Sequence, residues 1–132
     1  MNSQIALKWD YPASMPVVIS DPGKLKIILL NLINNAVKFT DDGEVWISAR
    51  HESEHGKMIF DVKDTGIGIA PDQLPFVFDK FWQVDSGRTR TQNGIGMGLY
   101  IVKAFTDLLG GSISVKSVLG QGARFVVELP IR

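Results

Sequence analysis

The chain has 132 residues, enough for one domain with a continuous core and too few for two ordinary ones. Its 14 basic and 14 acidic residues cancel, which removes the electrostatic case for a nucleic-acid-binding surface or for direct contact with an anionic membrane, so any basic site must be local. With no cysteine, disulfides, thiol nucleophiles and thiolate metal sites are excluded, in keeping with a reducing cytoplasm; no apolar run approaches the ~20 residues of a membrane span, and the first residues lack a signal-peptide pattern.

Gln4 to Trp9 alternates as a strand does, and a loop holding Pro12 and Pro16 leads to a second short strand at Val17 to Ile19. Asp21-Pro22 then supplies an N-cap carboxylate and a proline at the first helical position, which predicts a helix from about Pro22 to Phe39. Leu25, Ile28, Leu29, Leu32, Ile33, Ala36 and Val37 make this the most hydrophobic helical stretch of the chain. Asn31, Asn35 and Lys38 interrupt it: at ~100° per residue they share an arc of roughly 60°. A wet helix face would explain any one of them. Three together place two amide oxygens and a cation where they can hold a metal-bound anionic ligand, since hard cations take oxygen donors and lysine meets phosphate.

Two further alternating runs, Glu44 to His51 and Lys57 to Lys63, predict an antiparallel hairpin across Glu52-Ser53-Glu54-His55-Gly56. His51 beside Glu52 resembles an acid-base pair, but histidines at a polar hairpin end are unremarkable and the catalytic reading is rejected. Asp64-Thr65-Gly66-Ile67-Gly68-Ile69 leaves the second of these strands directly. Its glycines allow close backbone approach, and its carboxylate can accept the exocyclic amine of adenine while repelling the carbonyl that guanine presents at that edge. The bland alternative is a tight strand-exit turn in which Asp64 caps its own loop.

After Pro71 a short helical turn is expected, then four aromatics between Phe76 and Trp82, of which Phe78 and Phe81 read as core and as a hinge wall for the next segment. That segment, Gln83 to Gly94, has only Val84 as an apolar residue, and a polar stretch this long beside a glycine-rich helix start reads as a lid. It carries Arg88, Arg90 and Gln92; either arginine can neutralise a terminal phosphate on closure. Asn93-Gly94-Ile95-Gly96-Met97-Gly98-Leu99 opens a second long helix, read as Gly96 to Leu109 and stopped by Gly110-Gly111, whose glycines and positive dipole end suit an anion. A dinucleotide fingerprint fails on spacing, and a P-loop fails because Gly23-Lys24 and Gly56-Lys57 are not followed by Ser or Thr. Ser112 to Ser117 and Ala123 to Leu129 close the chain as a hairpin. Because helices do not alternate one-for-one with strands, the fold class is α+β, a two-layer sandwich of helices on one face of a mixed, largely antiparallel sheet, in a single domain over residues 1–132.

Together, Asn31 to Thr40 (NLINNAVKFT), Asp64 to Ile69 (DTGIGI), Phe78 to Phe81 (FDKF) and Gly94 to Leu99 (GIGMGL) resemble, in order, the N, G1, F and G2 boxes of the ATP-binding catalytic domain of bacterial sensor histidine kinases. The resemblance covers essentially the whole chain and implies the ATP-binding fold shared with gyrase B and the heat-shock chaperone ATPases. It implies that Asn35 is the Mg2+ ligand, that Asn31 lies beside the phosphates, that Lys38 meets phosphate, that Phe39 stacks near adenine and that Asp64 binds its amine. Gly66, Gly68 and Ile69 would line the base pocket, and Gln92, Gly94, Gly96, Gly98 and Leu99 would anchor the lid and contact phosphate. Two departures sharpen the expectation. The water-using ATPases of this fold carry Glu where Asn31 stands, and an amide cannot act as general base, which favours phosphoryl transfer over hydrolysis. The family's acceptor motif, a histidine on a helical hairpin, is not found in this sequence.

The resemblance therefore implies a domain that donates the γ-phosphoryl group of Mg-ATP to a histidine on the parent kinase's helical phosphoacceptor domain, and so indirectly to a response regulator, in the cytoplasm, with the parent's anchorage in the inner membrane left open. The competing readings are an ATPase or serine kinase of the same fold, which Asn31 disfavours, and a non-catalytic nucleotide-binding module, which four intact boxes disfavour.

Overall fold

The computed structural model describes residues 5–10, 22–40, 42–52, 54–80 and 98–130. Strand β1 (Ile5–Asp10) precedes helix α1 (Pro22–Lys38), the hairpin β2 (Gly43–Glu52) and β3 (Lys57–Asp64), helix α2 (Gly98–Leu108), and the hairpin β4 (Ser112–Val118) and β5 (Gly122–Pro130). The five strands lie in the order β1-β2-β3-β5-β4. β1 pairs with β2 in parallel and every other pairing is antiparallel, so the sheet is mixed as the sequence predicts. The short strand expected at Val17 to Ile19 falls outside the described residues.

Both periodicities build one core. Along α1, Ile28, Leu32 and Ala36 recur every four residues and are buried; along α2, Leu99, Val102 and Thr106 do the same at spacings of three and four. The strands contribute alternate residues: Val45 and Ile47 from β2, Met58, Phe60 and Val62 from β3, and Ala123, Phe125, Val127 and Leu129 from β5. α1 packs beside α2 and over β2 and β3, while α2 also reaches β4, so both helices cover the same face of the sheet. The opposite face carries the other half of each alternation, including Lys8, Trp46, Lys63, Lys116 and Arg124.

Element ends follow local chemistry. α2 closes through Gly110, whose φ of 78° is left-handed, with the Gly111 N–H donating to the Thr106 carbonyl at 3.0 Å and the Gly110 N–H to that of Asp107 at 3.0 Å. The turn expected after Pro71 is a single 3-10 turn, Leu74–Phe76, with Pro75 inside it. Phe78 lies edge-on to Phe125, ring centroids 6.2 Å apart, and ties this segment to the sheet as a core aromatic.

Candidate functional site

The polar stripe of α1 sits beside the start of α2. Asn31 is half-buried and its side-chain N–H donates to the Ile27 carbonyl one turn earlier, at 2.9 Å, which leaves its oxygen facing away from the helix backbone. A Cβ built on Gly98 would lie 3.2 Å from that oxygen, so the absent side chain lets α2 start against the stripe. Asn35, one turn on, is also half-buried, and its side-chain amide makes no hydrogen bond among the described residues. Lys38 ends the helix, where a cation complements the negative dipole end. Its ammonium lies 5.7 Å from the ring centre of Phe39, and partial burial lowers its pKa. The Phe39 ring is itself buried, 4% exposed, so it belongs to the core at least as much as to any ligand surface.

Asp64 is the last residue of β3 and occupies the inward register that Met58, Phe60 and Val62 hold before it. It is 2% exposed. One carboxylate oxygen, Oδ1, accepts the Gly66 N–H at 2.8 Å and the Ala123 N–H of β5 at 3.3 Å. Burial pushes its pKa up, and these two backbone donors pull only part of the way back. The loop cap and the ligand role set against each other in the sequence do not exclude one another: Oδ1 caps the loop, and Oδ2 accepts no hydrogen bond among the described residues.

The loop after Asp64 is fixed on three sides. The Ile67 N–H donates to the Phe39 carbonyl at 3.1 Å, which joins the loop to the end of the helix bearing the stripe. Thr65 is stitched to β2: its N–H donates to the Glu44 carbonyl at 3.1 Å and its hydroxyl accepts the Glu44 N–H at 3.0 Å. On the third side stands the β4–β5 turn, where the Gly120 N–H donates to the Ile67 carbonyl at 2.7 Å and the Ser117 hydroxyl accepts the Ile69 N–H at 2.7 Å. The glycines have a reason internal to the protein. A Cβ on Gly66 would collide with the Phe39 carbonyl, and one on Gly68, whose φ is 73°, with the Val118 carbonyl.

Ser117, Gly122 and the Ala123 N–H are functional supports that sequence reasoning does not single out. A Cβ on Gly122 would strike the Asp64 carbonyl, and Ser117 also donates to the Gly122 carbonyl at 2.7 Å. A signal for Ser117 does exist. On β4 it follows Ile113 and Val115 in the inward register, and a hydroxyl there needs a partner.

Of the residues read from the sequence, Asn31, Asn35 and Lys38 lie on the C-terminal half of α1, Gly98 at the start of α2 stands against Asn31, and the loop of Asp64, Gly66, Gly68 and Ile69 is joined to the end of α1 by the Ile67–Phe39 hydrogen bond. Leu99 and Ile69 are both buried in the core that supports them. Arg88, Arg90, Gln92, Gly94, Gly96 and Phe81 lie outside the described residues. His51 and His55 stand at the other end of the β2–β3 hairpin, with His55 3.7 Å from Glu52.

Residues 20–132 match the family of histidine kinase-, DNA gyrase B- and HSP90-like ATPases. The chain belongs to this family. Within it the similarities run to sensor kinases. Over 110 residues the chain is 44% identical to the sensor protein SrrB of Staphylococcus aureus, a match that covers 83% of this chain and 19% of that protein. It therefore spans about a fifth of the length of the curated relatives it matches. The fold matches full-length ShkA, solved in complex with AMPPNP, with a TM-score of 0.82 and 38% identity over 96% of this chain and 26% of that one. A mycobacterial sensor histidine kinase, MprB, matches with a TM-score of 0.79 and 27% identity over 97% of this chain and 83% of that one. The chain is a histidine-kinase-type ATPase domain of the sensor-kinase branch.

For such a domain the donor set can be weighed on its chemistry. No group of three or more His, Asp or Glu among the described residues could hold a metal by itself. Asn35 offers one neutral oxygen donor, which suits a Mg2+ that arrives already carried by phosphates and keeps much of its water. None of the helices among the described residues is long and apolar enough to cross a membrane.

Proposed function

We propose that this domain binds Mg-ATP beside the C-terminal half of α1 and donates the γ-phosphoryl group to a histidine on a separate helical phosphoacceptor domain of its parent kinase, from which a response regulator takes it in two-component signalling. The observation that carries the reading is Asp64: a buried carboxylate with one oxygen committed to its own loop, on a loop hydrogen-bonded to the end of the helix that bears Asn31, Asn35 and Lys38. A buried carboxylate acceptor favours the exocyclic amine of adenine and rejects guanine, whose carbonyl would face it without a proton between them.

In this reading Gly66, Gly68 and Ile69 shape the base pocket and Phe39 backs it. Asn35 supplies an oxygen to Mg2+, Asn31 orients phosphate, and Lys38 and one of Arg88 and Arg90 meet the anionic oxygens. Gln92, Gly94, Gly96, Gly98 and Leu99 anchor the lid and present backbone N–H groups to phosphate. Mg2+, when bound, neutralises charge on the phosphate oxygens. The acceptor imidazole nitrogen attacks the γ-phosphorus in line, the N–P bond forms as the bond to the β-phosphate oxygen breaks, and ADP leaves. An amide at position 31 holds phosphate without deprotonating water, which keeps the phosphoryl group for the imidazole. The domain acts in the cytoplasm, whatever anchors the parent.

Calorimetric titration tests this. ATP should bind at least tenfold more tightly than GTP, and Mg2+ should strengthen ATP binding to the natural chain but much less to Asn35→Ala. Equal affinity for the two nucleotides would remove Asp64 from base recognition, and an undiminished magnesium effect in Asn35→Ala would remove the metal role from that residue.

A further inference from the structure

The helix-free face of the sheet carries a line of basic side chains that the nucleotide site does not use. Register places Lys8 opposite Trp46, Trp46 opposite Lys63, Lys63 opposite Arg124, and Arg124 opposite Lys116, so one row crosses all five strands. All five residues are exposed. Arg124 is paired with Asp61, its Nε donating at 2.8 Å, whereas Lys63 and Lys116 make no ion pair among the described residues. Trp46 is 42% exposed and held in place, its indole N–H donating to Glu44 at 2.9 Å and the Lys8 ammonium lying 5.7 Å from its ring centre. Beside the row, Lys63, Arg124 and Lys116 line a cleft of about 170 Å³ with Ser117 and Gln121. Asp61 accounts for Arg124, but like charges directly opposite one another weaken a sheet and the chain as a whole is neutral, so neither stability nor general basicity accounts for Lys63 and Lys116 on either side of it.

We infer that this row is a docking surface for a protein helix bearing an acidic stripe. The spacing fits one. Strands stand about 4.8 Å apart, so the row is about 19 Å long; a helix laid along it presents side chains at i, i+4, i+7, i+11 and i+14, which rise about 21 Å. Acidic groups at i, i+4 and i+7 meet Lys116, Arg124 and Lys63, an apolar group at i+11 covers Trp46, and an acid at i+14 meets Lys8. The face also explains why the occupant is a narrow helix and not a polyanion or an anionic bilayer. Off the row, Glu52 and Glu128 are paired with Arg50 and Lys57 and Glu44 makes no ion pair among the described residues, so the excess positive charge of this face is confined to the row and a broad anionic surface would gain nothing beyond it. A single helix follows the row alone.

The test is a titration of the isotope-labelled chain, read by amide and indole N–H shifts, at low salt. The probe is an alanine-rich helical peptide with glutamates at i, i+4, i+7 and i+14 and a leucine at i+11. The Trp46 indole and the amides of Lys63, Arg124 and Lys116 should shift saturably. A peptide of the same composition with its glutamates spread around the helix should bind at least tenfold more weakly. So should the double variant Lys63→Glu/Lys116→Glu with the original peptide, and the milder Lys63→Gln/Lys116→Gln should fall between. Absence of binding, equal binding of the scrambled peptide, or shifts centred elsewhere would overturn the proposal. Binding of phosphatidylglycerol vesicles or duplex DNA as tight as that of the striped peptide, and lost in the same variants, would also overturn it and reassign the row to a polyanion.

Discussion

Asp64 is held at a cost to the fold. Its carboxylate is buried and its pKa raised, so the folded state takes up a proton more readily than the unfolded chain does. The favourable contribution is therefore complete below the unfolded pKa and is lost as pH rises through the folded one. Asp64→Asn keeps an Oδ1 acceptor for Gly66 and Ala123 and removes the charge. The variant should be more stable than the natural chain at neutral pH, with the advantage shrinking as pH falls into the carboxylate range. Thermal melts across pH check this, and a constant difference would mean that charge burial is not its source. ATP binding should move the other way, weakened about 10- to 100-fold by loss of a charge-assisted hydrogen bond worth about 1.5–3 kcal/mol. A substitution that strengthens the fold while weakening the ligand is the signature of a residue kept for its site. Asp64 was legible in the sequence as a carboxylate at a strand exit, just before Gly66 and Gly68. The cap on its own loop, made through the Gly66 N–H, was legible too; the second donor was not, because the Ala123 N–H comes from β5, 59 positions further along the chain.

At the scale of elements, the β4–β5 hairpin is the brace of the Asp64 loop. Ser117→Ala leaves the Ile69 N–H and the Gly122 carbonyl without their partner, a loss of about 1–3 kcal/mol. Chemical denaturation should show that loss, together with weaker ATP binding and an unchanged denaturant slope. Full stability in Ser117→Ala would mean that the turn does not hold the loop. The same hairpin carries part of the basic row, and Lys116→Glu exchanges repulsion for attraction opposite Arg124. That change is worth about 0.2–1 kcal/mol, a rise in melting temperature of about 1–4 °C, and a lower midpoint would show that the row carries no repulsion. Periodicity, with the proline and glycine signals at the helix ends, located both helices and the two hairpins to within a residue or two, because each buries one stripe or one face. It could not give the strand order β3-β5-β4, in which the last strand inserts beside β3, because that depends on contacts distant in the chain. Nor could it show that Gly66 and Gly68 face the protein's own carbonyls, since a glycine that admits a ligand and one that admits a neighbouring loop look alike in sequence.

At the scale of the molecule, the length of the sheet separates the chain's two histidines from the proposed nucleotide site. Val45 of β2 pairs with Asp64, while His51 pairs with Met58 at the other end of the same hairpin. Six strand residues at about 3.4 Å each set His51 about 20 Å from the level of Asp64, and His55 lies beyond it in the turn. A γ-phosphate held beside α1 cannot be attacked by an imidazole at that distance, since in-line transfer needs the reacting atoms about 3–3.5 Å apart. Incubation of this chain with γ-labelled ATP should therefore leave no acid-labile, base-stable label on it. Adding the histidine-bearing helical hairpin of its parent kinase should place the label on the hairpin, and His51→Ala/His55→Ala should not reduce that transfer. Label on the chain that disappeared in the double histidine variant would overturn the assignment of donor and acceptor to separate domains. Steady release of inorganic phosphate, with the hairpin present and unlabelled, would instead make water the acceptor and remove the role argued for an amide at position 31.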